Sequence, residues 1–232
     1  PALKKNIGLL DENIGMFCDD TRDAVKGSAL KIKRPGFING AKGKEDDVIR
    51  GVSACCLPGK YRAKAPSQII TYVSAHDNQT LWDKLSETLP EADEEERMRL
   101  NRMAAALYMT CQGTLFFLSG EEFARTKNGQ EDTFNAPIAL NRLDWEQAWK
   151  NHSLVEYYKG LIALRKHLPG LCDKSEHAVE RIYGTRKEPG LVSFRVDNRG
   201  RGGESRWAEL KIIYNSGEKE RTIDLKDEGW EI

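Results

Sequence analysis

A chain of 232 residues can hold one large domain or two, and 39% hydrophobic with 31% charged residues is the make-up of a globular protein. Lys plus Arg and Asp plus Glu both total 36, so no net field draws the chain to nucleic acid or to an anionic membrane, and a neutral or small polar ligand fits better. No stretch is apolar for long enough to cross a bilayer.

Ile14–Cys18 is an apolar run that predicts a buried strand, and Asp19 to Gly27 predicts a turn or short helix after it. Residues 28–66 are rich in Gly, Lys and Asp and predict an irregular excursion, with a short helix opening near Val48 as its one regular element. Gln68–Ser74 is nearly continuous in apolar and β-branched residues, as a strand covered on both faces should be. It delivers His76 and Asp77 at its carboxyl end. Asp93 predicts a helix N-cap with Glu96 as its capping-box partner. Leu100, Met103, Ala104, Leu107, Tyr108 and Cys111 then share one helical face, and Gly113 ends it. Thr114–Leu118 predicts another buried strand, which completes a β-α-β unit.

A second helix is predicted from Ser153, with Glu156 as its capping acid. Its apolar face is Leu154, Tyr157, Tyr158, Leu161, Ile162 and Leu168, stopped by Pro169-Gly170. Leu191–Val196, Ala208–Tyr214 and Glu220–Leu225 then read as strands, separated by turns at Asn198–Gly203 and Asn215–Gly217. Residues 177–232 therefore predict a small antiparallel β domain.

The His76-Asp77 pair at a strand tip is the strongest chemical signal, since a strand end can present two polar side chains to one ligand. The residues alone leave Asp77 equally open to capping a turn, and His76 to a structural role. Asn78 suits an Asx turn, Trp82 suits packing, and Arg22-Asp23 reads as a surface pair. Glu121, Glu122, Arg125 and Lys127 read as a solvated charge cluster. His76, His152, His167 and His177 are too scattered for a metal motif. No calcium-hand loop and no glycine-rich phosphate cradle is present. The five cysteines fit neither a disulfide framework nor a zinc pattern and read as free thiols. No signal-peptide pattern opens the chain, which starts Pro1-Ala-Leu. Both ends read as points where a longer protein continues, so cytoplasmic and secreted locations both stay open.

Four blocks in one order carry a family resemblance: Ile14 to Gly27, Tyr72 to Leu85, Gly113 to Gly129, and Ala139 to Trp145. Together they resemble the carboxyl half of type I pullulanase, a debranching member of the alpha-amylase superfamily of glycoside hydrolases. The His-Asp-Asn block is shared across that superfamily. Glu121-Glu-Phe-Ala-Arg-Thr-Lys127 and Arg22-Asp-Ala-Val-Lys-Gly27 narrow it. The resemblance implies an α/β fold: strands six to eight of a (β/α)8 TIM barrel in residues 1–176, then a small antiparallel β-sandwich-like domain in residues 177–232. Ile14–Cys18, Ile69–Ser74 and Thr114–Leu118 are the implied strands.

The implied function is hydrolysis of alpha-1,6-glucosidic linkages in pullulan, glycogen and branched dextrins, by a retaining mechanism and with no cofactor. On that likeness the nucleophile and general acid follow barrel strands four and five, upstream of Pro1. Asp77 would be the transition-state stabiliser with His76 beside it, and this chain alone would be inactive. Asn78, Arg125, Lys127, Phe134 and Asn135 would bind substrate. Asp132-Thr-Phe-Asn-Ala-Pro137 departs from the family's Asn-Ser-Tyr-Asn-Ser-Pro, so Phe134 keeps a ring and loses a hydroxyl. Calcium is common in such relatives, and no ligand set maps here. The implied partner is an alpha-glucan, with no nucleic acid or membrane, and the full-length parent would be a monomer. An isoamylase or glycogen-debranching relative, and a non-catalytic carbohydrate-binding remnant, are the alternatives.

Overall fold

The computed structural model describes residues 3–200, 206–225 and 230. In chain order the elements are β1 (Met16–Phe17), α1 (Asp19–Lys26), α2 (Glu45–Val52), β2 (Ile69–Thr71), α3 (Leu81–Thr88), α4 (Glu94–Met109) and β3 (Thr114–Leu115). After them come α5 (Ile138–Asn141), α6 (Trp145–Lys150), α7 (His152–Lys166), α8 (Pro169–Cys172), β4 (Ile182–Glu188), β5 (Leu191–Asp197) and β6 (Glu209–Asn215).

The strands β1, β2 and β3 form a parallel sheet in that order, with Met16 opposite Ile69 and Ile70 opposite Thr114. The three strands lie where the sequence predicts them but are shorter. The extended backbone runs on: Cys18 N–H still reaches Ile70 O at 3.0 Å and Phe116 N–H reaches Thr71 O at 3.0 Å. β1 stops because Cys18 is already the residue capping α1. Phe17, Tyr72 and Phe116 meet edge to face, with ring centroids 5.1 to 6.4 Å apart.

α4 forms for the reasons its sequence shows. The Asp93 carboxylate accepts from Glu96 N–H at 2.8 Å, and Glu94, Glu95 and Glu96 in the first turn suit the positive end of the helix. Its face of Leu100, Ala104, Leu107 and Tyr108 is buried against α7 and the sheet helices, while Met103 is only partly covered. α7 departs from expectation at its start. It begins at His152, and no side chain caps it; Asn151 instead donates its amide to Phe123 O at 3.1 Å. Ser153 accepts from Arg102 and does not cap. Only Leu154 and Tyr158 of its predicted helical face are buried within α7, and Ile162 is 39% exposed.

Residues 28–66 are more ordered than the sequence suggests. α2 packs on α1, where Gly51 admits the Thr21 side chain, and Phe37 and Ile38 are buried. The connection is held by backbone against backbone at Gly27, whose φ is +99°: a Cβ there would lie 2.1 Å from Arg34 O. Gly27→Ala is expected to cost on the order of 3 kcal/mol, from a left-handed φ plus overpacking, read as a lower urea midpoint with unchanged slope. A midpoint within experimental error of the parent would rule this out.

The strands β4, β5 and β6 form an antiparallel sheet with β5 central and almost wholly buried. β5 and β6 match their predicted strands within a residue or so. β4 is not visible in the sequence because only Ile182 of it is buried and a register irregularity at Tyr183/Arg186 breaks any alternation. The predicted strand Glu220–Leu225 is a correction: those residues form no strand. The predicted turn Asn198–Gly203 falls partly outside the described residues. Among the described residues this is one sheet, backed by α2 and α8 and not by a second sheet. It is joined to α4 through Thr110 Oγ1 and the Tyr214 hydroxyl at 2.7 Å, and Gly190 N–H donates to Glu45 at 2.8 Å.

Candidate functional site

The site is built at the carboxyl ends of β2 and β3. β2 leads into Val73 and Ser74, both buried, so the chain leaves the sheet in a fixed position. It then turns outward. His76 Nε2 lies 3.3 Å from Asp77 Oδ1, and the two side chains are 83% and 72% exposed. Asn78 takes a left-handed φ of +61°, and Thr80 re-enters order by accepting from Asp83 N–H at 3.1 Å as the cap of α3. Two polar side chains are thus presented to solvent on a short loop between a buried strand and a capped helix.

The loop after β3 forms the facing wall. Gly120, Ala124 and Asn128 all have positive φ, which coils residues 120–128 tightly. Arg125 donates to Ser119 O at 3.0 Å and to Asn141 O at 2.6 Å. Lys127 is 1% exposed; its ammonium donates to His76 O at 3.1 Å and Glu131 O at 2.9 Å. Burial pulls its pKa down, opposed by the nearby charges of Asp83 and Asp77.

The charge cluster expected on this loop is not uniformly solvated. Glu121 is buried, accepts from the hydroxyls of Tyr108 and Tyr158 at 2.9 Å each, and also bonds to Ser74. Desolvation raises its pKa despite those donors and the nearby Lys26. Glu121 therefore ties β2, α4, α7 and the β3 loop together beneath the site. Lys26, at the end of α1, is also buried; its ammonium donates to Gln79 O at 3.1 Å, and burial pushes its pKa down to about 7. Arg22 is held by Asp23 at 2.7 Å, the Tyr72 hydroxyl at 2.7 Å and Asp19 at 3.2 Å, which is more than a surface pair.

A cavity of about 210 Å3 lies between the two loops, lined by His76, Asp77, Leu118, Arg125, Lys127, Asp132, Thr133, Phe134 and Asn141. It brings together five of the residues singled out from sequence: His76, Asp77, Arg125, Lys127 and Phe134. Phe134 is 87% exposed, as a stacking ring would be. Asn78 and Asn135 do not line it. Sequence reasoning misses the contributions of Leu118, Asp132, Thr133 and Asn141, although each sits in or beside one of the resembling blocks. A more open groove of about 810 Å3 runs between α4 and α6, beside Trp82 and Trp149. Several of its polar groups already have protein partners: Lys150 pairs with Glu94 across the groove at 3.4 Å, Gln147 donates to Ala124 O at 2.8 Å and Arg97 to Ala92 O at 2.6 Å. Trp82 also carries the Arg97 guanidinium 5.9 Å over its ring, so it packs as expected. Among the described residues no group of His, Cys, Asp and Glu could hold a metal ion, and no helix is long and apolar enough to cross a membrane.

Parallel β-α units with polar side chains around a cavity at their strand ends, followed by an antiparallel sheet, define a mixed α/β protein with a strand-end site. No protein-family profile matches the chain. It is 34% identical over 210 residues to pullulanase of Bacillus subtilis strain 168, covering 88% of this chain and 28% of that one. A crystal structure of Paenibacillus barengoltzii pullulanase with maltohexaose and alpha-cyclodextrin superposes with a TM-score of 0.82 at 38% identity, over 88% of this chain and 32% of that chain. A variant of that enzyme with maltotetraose gives 0.86 at 38% identity, over 93% and 34%. The chain is a homologue of the pullulanases, and it spans about a third or less of the length of these relatives.

Proposed function

We propose that this chain is the carboxyl-terminal part of a debranching glycoside hydrolase of pullulanase type, acting on alpha-1,6-glucosidic linkages of an alpha-glucan. In this reading β1, β2 and β3 are the last three strands of a (β/α)8 barrel within residues 1–176, and β4 to β6 belong to the domain of residues 177–232. The observation that carries it is the exposed His76-Asp77 pair at the end of a central parallel strand, beside a cavity, in a homologue of pullulanases. Parallel order and strand-end placement both support the barrel.

The chemistry of a retaining glycosidase needs a carboxylate nucleophile and a carboxylic acid flanking one sugar ring. In the proposal both come from residues outside this chain. Asp77 accepts from hydroxyls of the ring that flattens toward the oxocarbenium ion, and its negative charge opposes the positive charge developing there. His76 donates to the same sugar, Arg125 is the nearby cation, and Phe134 offers an apolar face for stacking. Asn78 and Asn135, off the cavity lining, would meet the substrate farther along the glucan.

Pullulan is built of maltotriose units joined through alpha-1,6 bonds, so cleavage at those bonds releases maltotriose. The complete reading frame that carries this chain is expected to release it, and residues 1–232 alone are expected to give no detectable reducing sugar. Reducing-sugar assay with chromatography of the products decides this. Turnover by the 232-residue chain would refute the missing-carboxylate argument. Products other than maltotriose from the complete protein would refute the linkage.

A further inference from the structure

The loop that presents His76 and Asp77 leaves the sheet at Ser74 and regains regular structure only at α3. Its ends at Ser74, Gln79 and Thr80 are buried, but His76 and Asp77 are exposed and do little to fix its shape by burial, and Asn78 sits in a left-handed conformation between them and Gln79. What meets its backbone is a pair of buried ammonium groups, one near each end. Lys127 Nζ donates to His76 O at 3.1 Å and Lys26 Nζ donates to Gln79 O at 3.1 Å. The Gln79 amide adds a longer bond to Gly129 O at 3.4 Å.

Lys127 is itself fixed from three directions. Its backbone N–H donates to Asp83 Oδ2 at 2.8 Å, its neighbour Thr126 donates to Asp83 Oδ1 at 2.5 Å, and its ammonium has a second acceptor in Glu131 O at 2.9 Å. Asp83 stands in the first turn of α3, the helix that begins where the loop ends. The three parts therefore close a ring: loop to Lys127, Lys127 to Asp83, Asp83 back to the loop through α3. Burying an ammonium costs desolvation, so a site that keeps one on main-chain carbonyls gains geometry from it, and each of the two ammonium groups has one acceptor in the loop, His76 O for Lys127 and Gln79 O for Lys26.

We propose that Lys127, assisted by Lys26, is a positioning residue that holds the Asp77 carboxylate in register with the cavity. This rests on the reading of Asp77 as the transition-state stabiliser. It places the Lys127 ammonium behind the loop, bound to protein carbonyls, and not on the glucan. A bond to His76 O controls the direction of the next peptide and hence of Asp77. Loss of that bond shifts the carboxylate without removing it, and a displacement of about 1 Å at a reacting centre costs about 100-fold in rate.

The test uses the complete reading frame with Lys127→Met, Lys127→Arg, Lys26→Met and Asp77→Asn, measured by pullulan kinetics and by amide hydrogen exchange over residues 75–79. Lys127→Met is expected to lower kcat about 10- to 100-fold with KM changed less than about threefold, and to speed loop exchange. Lys127→Arg keeps donors for the carbonyls and is expected to recover most of both losses. Lys26→Met should repeat the pattern more weakly, and it carries the test alone if Lys127→Met does not fold. A raised KM with normal kcat in Lys127→Met would overturn the proposal, because the ammonium would then be meeting the glucan. Unchanged loop exchange in both methionine variants would also overturn it. If Asp77→Asn keeps its kcat, the reading of the site has failed, and loop exchange alone then decides whether the lysines brace the loop.

Discussion

Asp77→Asn in the complete protein is expected to lower kcat by about 100- to 1,000-fold and to leave the urea midpoint unchanged. The rate effect comes from charge. The amide keeps the size and two-pronged shape of the carboxylate but cannot oppose the positive charge that builds on the sugar ring at the transition state. The absence of a stability effect comes from position. Asp77 is 72% exposed and lies 3.3 Å from His76, and a contact so open to water is worth little to folding. Exposed substitutions of this kind shift stability by about 0.5 kcal/mol or less. His76→Ala should cost less in rate, since a neutral donor and not a charge is lost. The alternative from sequence, Asp77 as a turn cap, makes the opposite prediction: lower stability with near-normal kcat. Measuring the two quantities on one preparation separates them.

Glu121→Ala is expected to destabilise the protein by about 3 to 5 kcal/mol, the largest stability effect predicted among these residues. The carboxylate accepts from three hydroxyls, on Ser74, Tyr108 and Tyr158, and all four residues are buried. Truncation leaves those hydroxyls without their acceptor and opens a cavity where β2, α4, α7 and the β3 loop meet. Glu121→Gln should be much milder because the amide oxygen still accepts and its NH2 can donate to Ser74. The two also differ in pH dependence. Burial raises the Glu121 pKa above its ordinary 4.5, so the folded state holds that proton more tightly than the unfolded state does. Its contribution is fully present below 4.5 and is lost as pH rises through the raised value. Lys26 works in the other sense: its pKa is depressed from 10.5 to about 7, so its contribution is lost as pH falls through 7. Glu121→Gln should therefore remove the loss on the rising side and keep the loss on the falling side. A Gln variant with an unchanged stability–pH curve would show that Glu121 does not titrate differently in the two states.

Local patterns carry a good deal of this architecture. The three parallel strands are legible because strands covered on both faces read as unbroken apolar runs, and α4 because its cap, acidic first turn and apolar face agree. β5 and β6 are legible for similar reasons. β4 is not, because an edge strand with one buried residue and an irregular register has no alternation to detect. The start of α7 is misread because Ser153 and Glu156 satisfy a capping pattern that the chain does not use, since the Asn151 side chain finds a partner in Phe123 O. Glu220–Leu225 shows the reverse failure: a β-like composition that joins no sheet among the described residues.

The site divides in the same way. His76, Asp77 and the charged residues after β3 can be named from the chain alone. Their order and neighbours form recognisable blocks, and a strand fixes the place of the residues at its carboxyl end. Which charges face the cavity and which face inward cannot be read that way. Glu121 and Glu122 are adjacent in sequence, yet Glu121 is buried among hydroxyls, and Lys127 reads as a solvated or substrate-binding cation while its ammonium binds His76 O. Lys26 lies 53 residues from Gln79 in the chain and meets it only in the folded molecule. A charged side chain can be buried only where acceptors from distant segments converge on it, and that convergence is a property of the packed elements and not of any local run of residues.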